Sequence, residues 1–182
     1  GAVVALDVKT GGVLVMASNP GYDPNGLDDV ETFEALNRDN ENSRLLNRAT
    51  QGLYPPGSTM KVVTAAAALD TGRYKPDSRA SGRNGKEVSG VPLNNFGEED
   101  FGEIDLTTAL TKSVNTAWAE IAEELGKDTY AEYMERFGFG EEPQMDYPDD
   151  QIFISGTRRG RRVVSARSRS VDIGRVAIGQ GT

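Results

Sequence analysis

The sequence predicts a mixed α/β (α+β) fold in which an opening β-hairpin precedes a largely helical body. Two β-rich runs, residues 2–8 and 13–18, flank a short glycine-containing turn and together predict the hairpin. An alanine-rich run at residues 58–71 and a periodic apolar run at residues 105–126 predict helices. The 182 residues contain no internal repeat or linker, and they suffice for one domain with a core.

Capping signals and composition predict the other helices. Residues 28–38 predict a short acidic helix, and residues 129–137 predict another with Asp128 as its N-cap. Within the long run 105–126, residues 111–116 are poor in helix formers, which predicts a break between two helical segments.

The remaining segments predict loops and short extended pieces. Residues 74–103 are rich in Gly, Pro and Asn and show no sustained period, so we expect a long loop. Residues 152–155 and 163–165 are expected to be extended and to flank a basic turn. The long loop contains three residues that could face a cleft but that we expect to be ordinary loop residues: Asn94, Asn95 and Phe96.

Composition excludes several classes of function. The net charge of −8 argues against broad nucleic-acid binding. The chain has no histidine, which excludes Ser-His-Asp and Cys-His catalysis within it and disfavours a zinc enzyme. It also has no cysteine, and therefore no disulfide. Nucleophilic catalysis would need another base, for which lysine is the evident choice.

The ends of the sequence lack targeting signals. No apolar run approaches the roughly 20 residues of a membrane span, and no signal peptide opens the chain. The chain begins inside a strand-like run and stops without a natural ending. We expect it to be a piece of a longer protein.

One stretch joins a stiff turn to a helix. Tyr-Pro-Pro-Gly precedes Ser58, so a helix must begin at or just after this serine, and Gly72 is a suitable stop. Lys61 lies three residues on and shares the same face. A serine hydroxyl needs a base to become a nucleophile, and a lysine with a lowered pKa can be that base. The alternative is an N-cap serine beside an ordinary helical lysine.

A second pair of polar residues falls at the predicted helix break. Ser113 and Asn115 are separated by one residue, so both can face one cavity when the backbone there is not helical. The hydroxyl could relay a proton and the amide could bind a carbonyl. The alternative is that Ser113 caps the next helix and Asn115 stabilises its first turn.

Together, Ser58-x-x-Lys61 and Ser113-x-Asn115 resemble the motifs of the penicillin-binding protein and serine β-lactamase superfamily. The resemblance covers nearly the whole chain and is weakest at residues 74–103 and 141–169. It favours a class B penicillin-binding protein, a monofunctional transpeptidase. Further stretches that carry it are Gly1 to Gly11, Val15 to Pro20, Tyr22 to Asn25, Asn47 to Ala49, Tyr54 to Gly57, Ala109-Leu110, Thr116-Ala117 and Gly179-Gln180-Gly181.

The resemblance implies a β-lactamase/transpeptidase-like fold, present here as a fragment. Residues 1–182 would form part of a penicillin-binding transpeptidase domain, with the N-terminal β-hairpin and the helical subdomain but without most of the sheet. The third family motif, Lys-Thr-Gly, belongs on a strand well beyond Gly-Gln-Gly, and we identify no such motif here. We therefore expect this chain to be nearly or wholly inactive as an enzyme on its own.

The resemblance also assigns roles. Ser58 would be the nucleophile, Lys61 its base, Ser113 a proton carrier, and Asn115 would hold Lys61 and the substrate amide. The substrate would be the D-Ala-D-Ala end of a peptidoglycan stem peptide on a lipid-linked precursor, and β-lactam antibiotics would acylate Ser58. The resemblance also implies that no metal or organic cofactor is needed. The longer protein would be anchored by an N-terminal helix, with this domain at the extracytoplasmic face of a bacterial membrane and with divisome or elongation partners.

Three alternatives remain open at this point. A class A β-lactamase would use a glutamate, and residues 142–146 faintly resemble its Glu-Pro-Glu-Leu-Asn loop. A β-lactam sensor domain would be acylated without turnover. A non-catalytic binding domain would use an arginine cluster to bind anionic lipid, acidic glycan or a divisome partner, although a solvated basic loop is the simpler interpretation. The cluster comprises Arg158, Arg159, Arg161, Arg162, Arg167, Arg169 and Arg175.

Overall fold

The computed structural model describes residues 1–160 and 162–180, and these residues form two compact units. The first unit comprises residues 1–54 and 144–153, and the second comprises residues 55–143 and 154–182. All strands of the described chain pair two by two in antiparallel fashion, so the fold mixes helices with four small sheets. The mixed α/β class expected from the sequence is confirmed. Among the described residues, no helix has both the length and the apolar character that a membrane span requires.

The first unit is built on the predicted hairpin. Strand β1 (Ala2–Leu6) pairs with β2 (Val13–Ser18). Helix α1 (Val30–Arg38) begins two residues later than the predicted start at residue 28, because the Asp29 carboxylate caps it by accepting a hydrogen bond from the backbone N–H of Thr32. A short helix that the sequence did not predict, α2 (Arg48–Gln51), packs against both strands of the hairpin.

The hairpin turn requires one correction to the sequence analysis. The tripeptide Lys-Thr-Gly does occur in the chain, as Lys9-Thr10-Gly11. It lies in the exposed turn between β1 and β2, where the backbone N–H of Lys9 donates to Asp7 and Gly11 has φ of 74°. Because this tripeptide forms a turn and precedes Ser58, it does not correspond to a strand motif that follows Gly-Gln-Gly. No Lys-Thr-Gly occurs after Lys127, the last lysine of the sequence.

The second unit is organised around one helix. The predicted long helical run is broken as expected, into α4 (Leu106–Thr111) and α5 (Asn115–Leu125). Helix α5 packs against α3 (Lys61–Asp70), α6 (Lys127–Arg136) and α7 (Ile173–Val176). It carries the largest fully buried side chain of the unit, that of Trp118, which is 1% exposed. Burial of such apolar side chains supplies the main stabilisation of this unit.

The structure places short strands in the segment that the sequence analysis took for a long loop. Strand β3 (Arg79–Ser81) pairs with β6 (Glu103–Asp105), and β4 (Lys86–Val88) pairs with β5 (Val91–Leu93). Each strand has only three residues, which is too short for an alternating pattern to be recognised in the sequence. The expectation of a segment without regular elements is therefore wrong.

Two further expectations change in detail. Asp128 does not cap α6, because Gly126 occupies the N-cap position and Asp128 lies in the first turn, where its charge suits the helix dipole. Strand β7 (Arg158–Arg159), which was predicted as part of the basic turn, pairs with β8 (Arg162–Val163), whereas residues 152–155, which were predicted to be extended, form no strand. Arg161 lies outside the described residues.

A buried hydroxyl pair ties three helices of the second unit together. The Thr64 hydroxyl on α3 donates to the carbonyl of Ala177, just after α7, at 2.8 Å. The Tyr130 hydroxyl on α6 lies 3.1 Å from the same Thr64 oxygen. Both residues are fully buried, and burial raises the pKa of Tyr130 to about 12. Because polar groups are costly to bury unpaired, this pair favours one arrangement of α3, α6 and α7.

We predict that Tyr130→Phe lowers the free energy of unfolding by about 1–2 kcal/mol, because it leaves a buried Thr64 lone pair unmatched. Tyr133→Phe is the matched control, since its hydroxyl donates to Asp70, which is exposed and can bind water instead. We expect a smaller loss, under about 1 kcal/mol, for the control. Urea unfolding of both variants measures the difference. An equal loss in the two variants would contradict the role given to the buried pair.

Candidate active site

Ser58 lies in a tight turn that directly precedes α3. Residues Gly57–Met60 form a 3-10 helix, and the α-helix begins only at Lys61, one turn later than the sequence analysis placed its start. In a 3-10 helix, side chains at i and i+3 eclipse each other. Ser58 and Lys61 therefore align more closely than the same spacing would give in an α-helix. The Ser58 side chain is exposed, whereas Lys61 is 1% exposed.

The Lys61 amine is the centre of the site. Its Nζ atom lies 2.7 Å from the Ser113 carbonyl oxygen and 2.7 Å from Asn115 Oδ1. Two hydroxyl oxygens are slightly farther away, Ser113 Oγ at 3.0 Å and Ser58 Oγ at 3.1 Å. Burial lowers the pKa of Lys61 from 10.5 to about 8. The amine therefore reaches its neutral form near physiological pH, which an exposed lysine does not.

The four neighbours of Lys61 define where its lone pair points. The Ser113 carbonyl and Asn115 Oδ1 are acceptors only, so a neutral amine gives its two N–H groups to them. Its lone pair then faces the hydroxyls, which can donate. Ser58 can thus donate its proton to Lys61 across 3.1 Å, which is the geometry that a general base requires.

Ser113 and Asn115 owe their positions to the break between α4 and α5. Ser113 has φ of 55°, a left-handed conformation that is uncommon for a residue other than glycine. This kink turns both its carbonyl and its hydroxyl toward Lys61, while Asn115 opens α5. Ser113 is not a helix cap, since Val114 occupies that position. Strained backbone of this kind clusters at active sites, and here it places two groups of Ser113 beside Lys61.

The three polar atoms form a nearly equilateral triangle. Ser113 Oγ lies 3.0 Å from Ser58 Oγ, which closes the triangle with the two contacts to Lys61 Nζ. Each hydroxyl can both give and accept a proton, and the neutral amine can accept one through its lone pair. The structure thus brings together the four residues Ser58, Lys61, Ser113 and Asn115 from two segments of the chain.

The sequence analysis missed the role of Asn95. We expected an ordinary loop residue, but Asn95 is 4% exposed and its side-chain oxygen accepts from the backbone N–H of Thr116 on α5 at 3.1 Å. The neighbouring Asn94 carbonyl accepts from Asn115 Nδ2 at 2.9 Å. Phe96, in contrast, is 93% exposed. No sequence signal separates these three residues, because the contacts join segments about twenty residues apart.

The other candidates lie apart from this cluster or serve other contacts. Glu142, the residue that resembled a β-lactamase glutamate, is exposed. Arg167 pairs with Glu135, and Arg175 donates to the carbonyl of Pro92 at 3.0 Å, so these two arginines bind within the chain. In the described residues, no group of three or more His, Cys, Asp or Glu side chains could hold a metal ion.

A glycine contact supports the turn that carries Ser58. Gly179 has φ of 73°, and a Cβ atom there would lie 2.1 Å from the carbonyl oxygen and 2.4 Å from the nitrogen of Gly57. Gly57 donates its backbone N–H to the Gly179 carbonyl at 3.3 Å. Such a close approach of two backbones requires glycine. Gly181, the last residue of the Gly-Gln-Gly segment, lies outside the described residues.

We predict that Gly179→Ala destabilises the chain more than its backbone angle alone explains. Gly72→Ala is the matched control, because Gly72 has φ of 70° but open space around the added Cβ. The control should cost about 1–2 kcal/mol for the left-handed conformation. Gly179→Ala should cost roughly 1–3 kcal/mol more, since the Gly57 backbone must move. Denaturant unfolding measures both variants, and equal costs would argue against a tight Gly57–Gly179 contact.

Comparison with known proteins identifies the family. The family model described as the penicillin binding protein transpeptidase domain matches residues 1–178. The peptidoglycan D,D-transpeptidase PbpA of Mycolicibacterium smegmatis is 40% identical over 153 residues, which are 79% of this chain and 31% of that protein. The peptidoglycan D,D-transpeptidase MrdA of Escherichia coli K12 is 33% identical over 166 residues, 88% of this chain and 26% of that protein.

Solved structures agree with this assignment. Penicillin-binding protein A of M. tuberculosis, solved as an imipenem acyl-enzyme complex, superposes with a TM-score of 0.82 at 33% identity, covering 99% of this chain and 41% of that one. PBP2 of Pseudomonas aeruginosa gives a TM-score of 0.78 at 32% identity, covering 100% of this chain and 42% of that one. The chain thus spans less than half the length of the relatives it matches. It belongs to the family of penicillin-binding protein transpeptidase domains.

Proposed function

We propose that this chain carries the nucleophile half of a peptidoglycan D,D-transpeptidase. One observation carries the proposal: a buried lysine amine with a lowered pKa lies within hydrogen-bond distance of an exposed serine hydroxyl and of a second hydroxyl. This arrangement supplies both a nucleophile and its base without histidine or a metal. The named relatives are peptidoglycan D,D-transpeptidases.

The first half-reaction forms an acyl-enzyme. Ser58 Oγ attacks the carbonyl carbon between the two terminal D-Ala residues of a stem peptide, and its proton passes to Lys61 Nζ. The tetrahedral intermediate then collapses: the C–N bond breaks, and the nitrogen of the leaving D-Ala takes up the proton. Ser113 Oγ bridges Lys61 and Ser58, so it can hand this proton from the amine to the leaving group.

The second half-reaction reverses these transfers. An amine from a neighbouring stem peptide attacks the ester carbonyl and loses a proton to Lys61 Nζ. The C–O bond to Ser58 breaks, the serine regains its proton, and the new amide is the cross-link. Asn115 holds the Lys61 amine through Oδ1, and its Nδ2 has one N–H left for a substrate carbonyl after its bond to Asn94.

The site also needs donors for the developing oxyanion. In this proposal the backbone N–H of Ser58 is one donor, and the strand with the third motif supplies the other. Residues 1–182 would be a partial transpeptidase domain that lacks this strand, since no Lys-Thr-Gly follows residue 127. Loss of one oxyanion donor typically slows a reaction by about 10²–10³. We therefore propose that this chain alone turns substrate over very slowly, by about this factor below a complete domain.

The substrate class implies partners and a location. The stem peptide on a lipid-linked precursor is the proposed substrate, and β-lactams are proposed to acylate Ser58, as the solved acyl-enzyme complexes of the M. tuberculosis relative illustrate for that protein. Peptidoglycan lies outside the cytoplasmic membrane, so we propose an extracytoplasmic position for this domain. Divisome or elongation partners belong to the same proposal.

The proposal predicts a covalent adduct on one residue. The folded chain, incubated with millimolar benzylpenicillin, should gain one penicilloyl group on Ser58, more slowly than a complete domain by the roughly 10²–10³ given above but to full stoichiometry. Intact mass and peptide digestion locate the adduct. Ser58→Ala and a denatured sample are the controls, and neither should be modified.

Other outcomes separate the remaining candidates. An adduct on another residue, or one that also forms in the denatured chain, would contradict the proposal, as would the absence of any adduct. A penicilloyl adduct that is hydrolysed quickly would favour a β-lactamase, whereas a transpeptidase or sensor retains it. Rapid turnover of a thioester substrate by this chain would contradict the proposed incompleteness of its site.

A further inference from the structure

The helix that presents Asn115 lacks a local cap. Helix α5 begins at Asn115, and its N-cap residue Val114 has no polar side chain. The first N–H groups of a helix have no partner within the helix and must be satisfied by other groups. This end is buried, with Val114 and Thr116 both at 0% exposure, so water cannot readily supply the acceptors. Some other segment must therefore hold the start of α5 in place.

Asn95 supplies the missing cap from a distant part of the sequence. Its Oδ1 accepts from the backbone N–H of Thr116 at 3.1 Å and lies 3.2 Å from the Thr116 hydroxyl. Its Nδ2 donates to the carbonyls of Gly82 at 2.9 Å and Glu99 at 3.0 Å. All four hydrogen-bonding positions of this buried amide are thus used, which fixes both its place and its orientation.

Asn94, the residue before Asn95, fixes the orientation of the Asn115 side-chain amide. The Asn94 carbonyl accepts from Asn115 Nδ2 at 2.9 Å. A carbonyl can only accept, so it requires the nitrogen of the Asn115 amide on its side. The opposite atom, Oδ1, is then directed at Lys61 Nζ, 2.7 Å away. Asn95 thus sets the position of α5, and the Asn94 carbonyl sets which side-chain atom of Asn115 contacts Lys61.

We propose that Asn95 is a positioning residue for acyl transfer, which acts on Lys61 through α5 and Asn115. This inference rests on the function proposed above. Asn95 also joins residues 82 and 99 to α5, so its loss has a structural cost in any case. One expectation distinguishes a positioning role from a purely structural one. The effect of Asn95 on the acylation rate should depend on Asn115, whereas its effect on stability should not.

A double-mutant cycle separates the two effects. Asn95→Ala should slow acylation of Ser58 by benzylpenicillin on the order of 10- to 100-fold, because small displacements of catalytic groups are costly. Asn115→Ala should slow it as well. The double variant should react no more slowly than Asn115→Ala, although its unfolding midpoint should fall further. Additive effects on the acylation rate would overturn the inference while leaving the proposed function intact.

A matched cap elsewhere provides the control. The Asp29 carboxylate accepts from the backbone N–H and the hydroxyl of Thr32 at the start of α1, the same pair of groups that Asn95 binds on Thr116. Asp29→Ala removes an exposed cap that binds the same two groups of a threonine, and it lies in the other compact unit. It should leave the acylation rate unchanged. A rate loss equal to that of Asn95→Ala would show a general effect of lost helix capping and would refute the positioning role.

A second measurement does not depend on any reaction. In a chain labelled with ¹⁵N-asparagine, the side-chain amide signals of Asn115 are those that disappear in Asn115→Ala. These signals should shift in Asn95→Ala and stay in place in Asp29→Ala. Unchanged Asn115 signals in Asn95→Ala would overturn the inference, whether or not Ser58 is acylated. Failure of the wild-type chain to be acylated, with shifted Asn115 signals, would reject the proposed function alone and leave the positioning of Asn115 by Asn95 supported.

Discussion

The burial of a single lysine amine governs the site. Lys61 is almost fully buried, and this burial lowers its pKa to about 8. A buried ammonium is costly, whereas a neutral amine can satisfy two carbonyl acceptors and still offer a lone pair. The Ser113 carbonyl and Asn115 Oδ1 provide these acceptors, and the Ser58 hydroxyl faces the lone pair of the amine. Without that burial, Ser58 would be an ordinary surface serine.

Several local structural features, from different parts of the chain, place the groups that surround the buried amine. In the 3-10 turn the Ser58 and Lys61 side chains eclipse each other, and the contact between Gly57 and Gly179 supports this turn. The left-handed backbone at Ser113 directs both the carbonyl and the hydroxyl of this residue at the amine. The backbone at Ser113 is strained, and the close approach of Gly57 and Gly179 is sterically demanding. Because these features all act on groups around Lys61 Nζ, they fix the reacting groups before substrate binds.

Sequence reasoning recovered the parts of this site that are local. The hairpin, the main helices and the helix break at residues 111–116 follow from local propensities and patterns, so they could be predicted. The four candidate residues were singled out by the resemblance of Ser58-x-x-Lys61 and Ser113-x-Asn115 to the motifs of a known family. The role of Asn95 could not be predicted, because it depends on a contact with Thr116, twenty-one residues away, in a segment whose strands are too short to show a period. The contact of Gly179 with Gly57 escaped prediction for the same reason.

The central claim is that neutral Lys61 removes the proton of Ser58, and the pH dependence of Ser58 acylation tests it most directly. Below the pKa, the protonated amine has no lone pair and cannot act as a base. With a β-lactam whose own charge is constant between pH 6 and 10, we predict an acylation rate that rises with pH and levels off above a midpoint near 8. A rate that is constant over this range, or that falls as the pH rises, would contradict the claim.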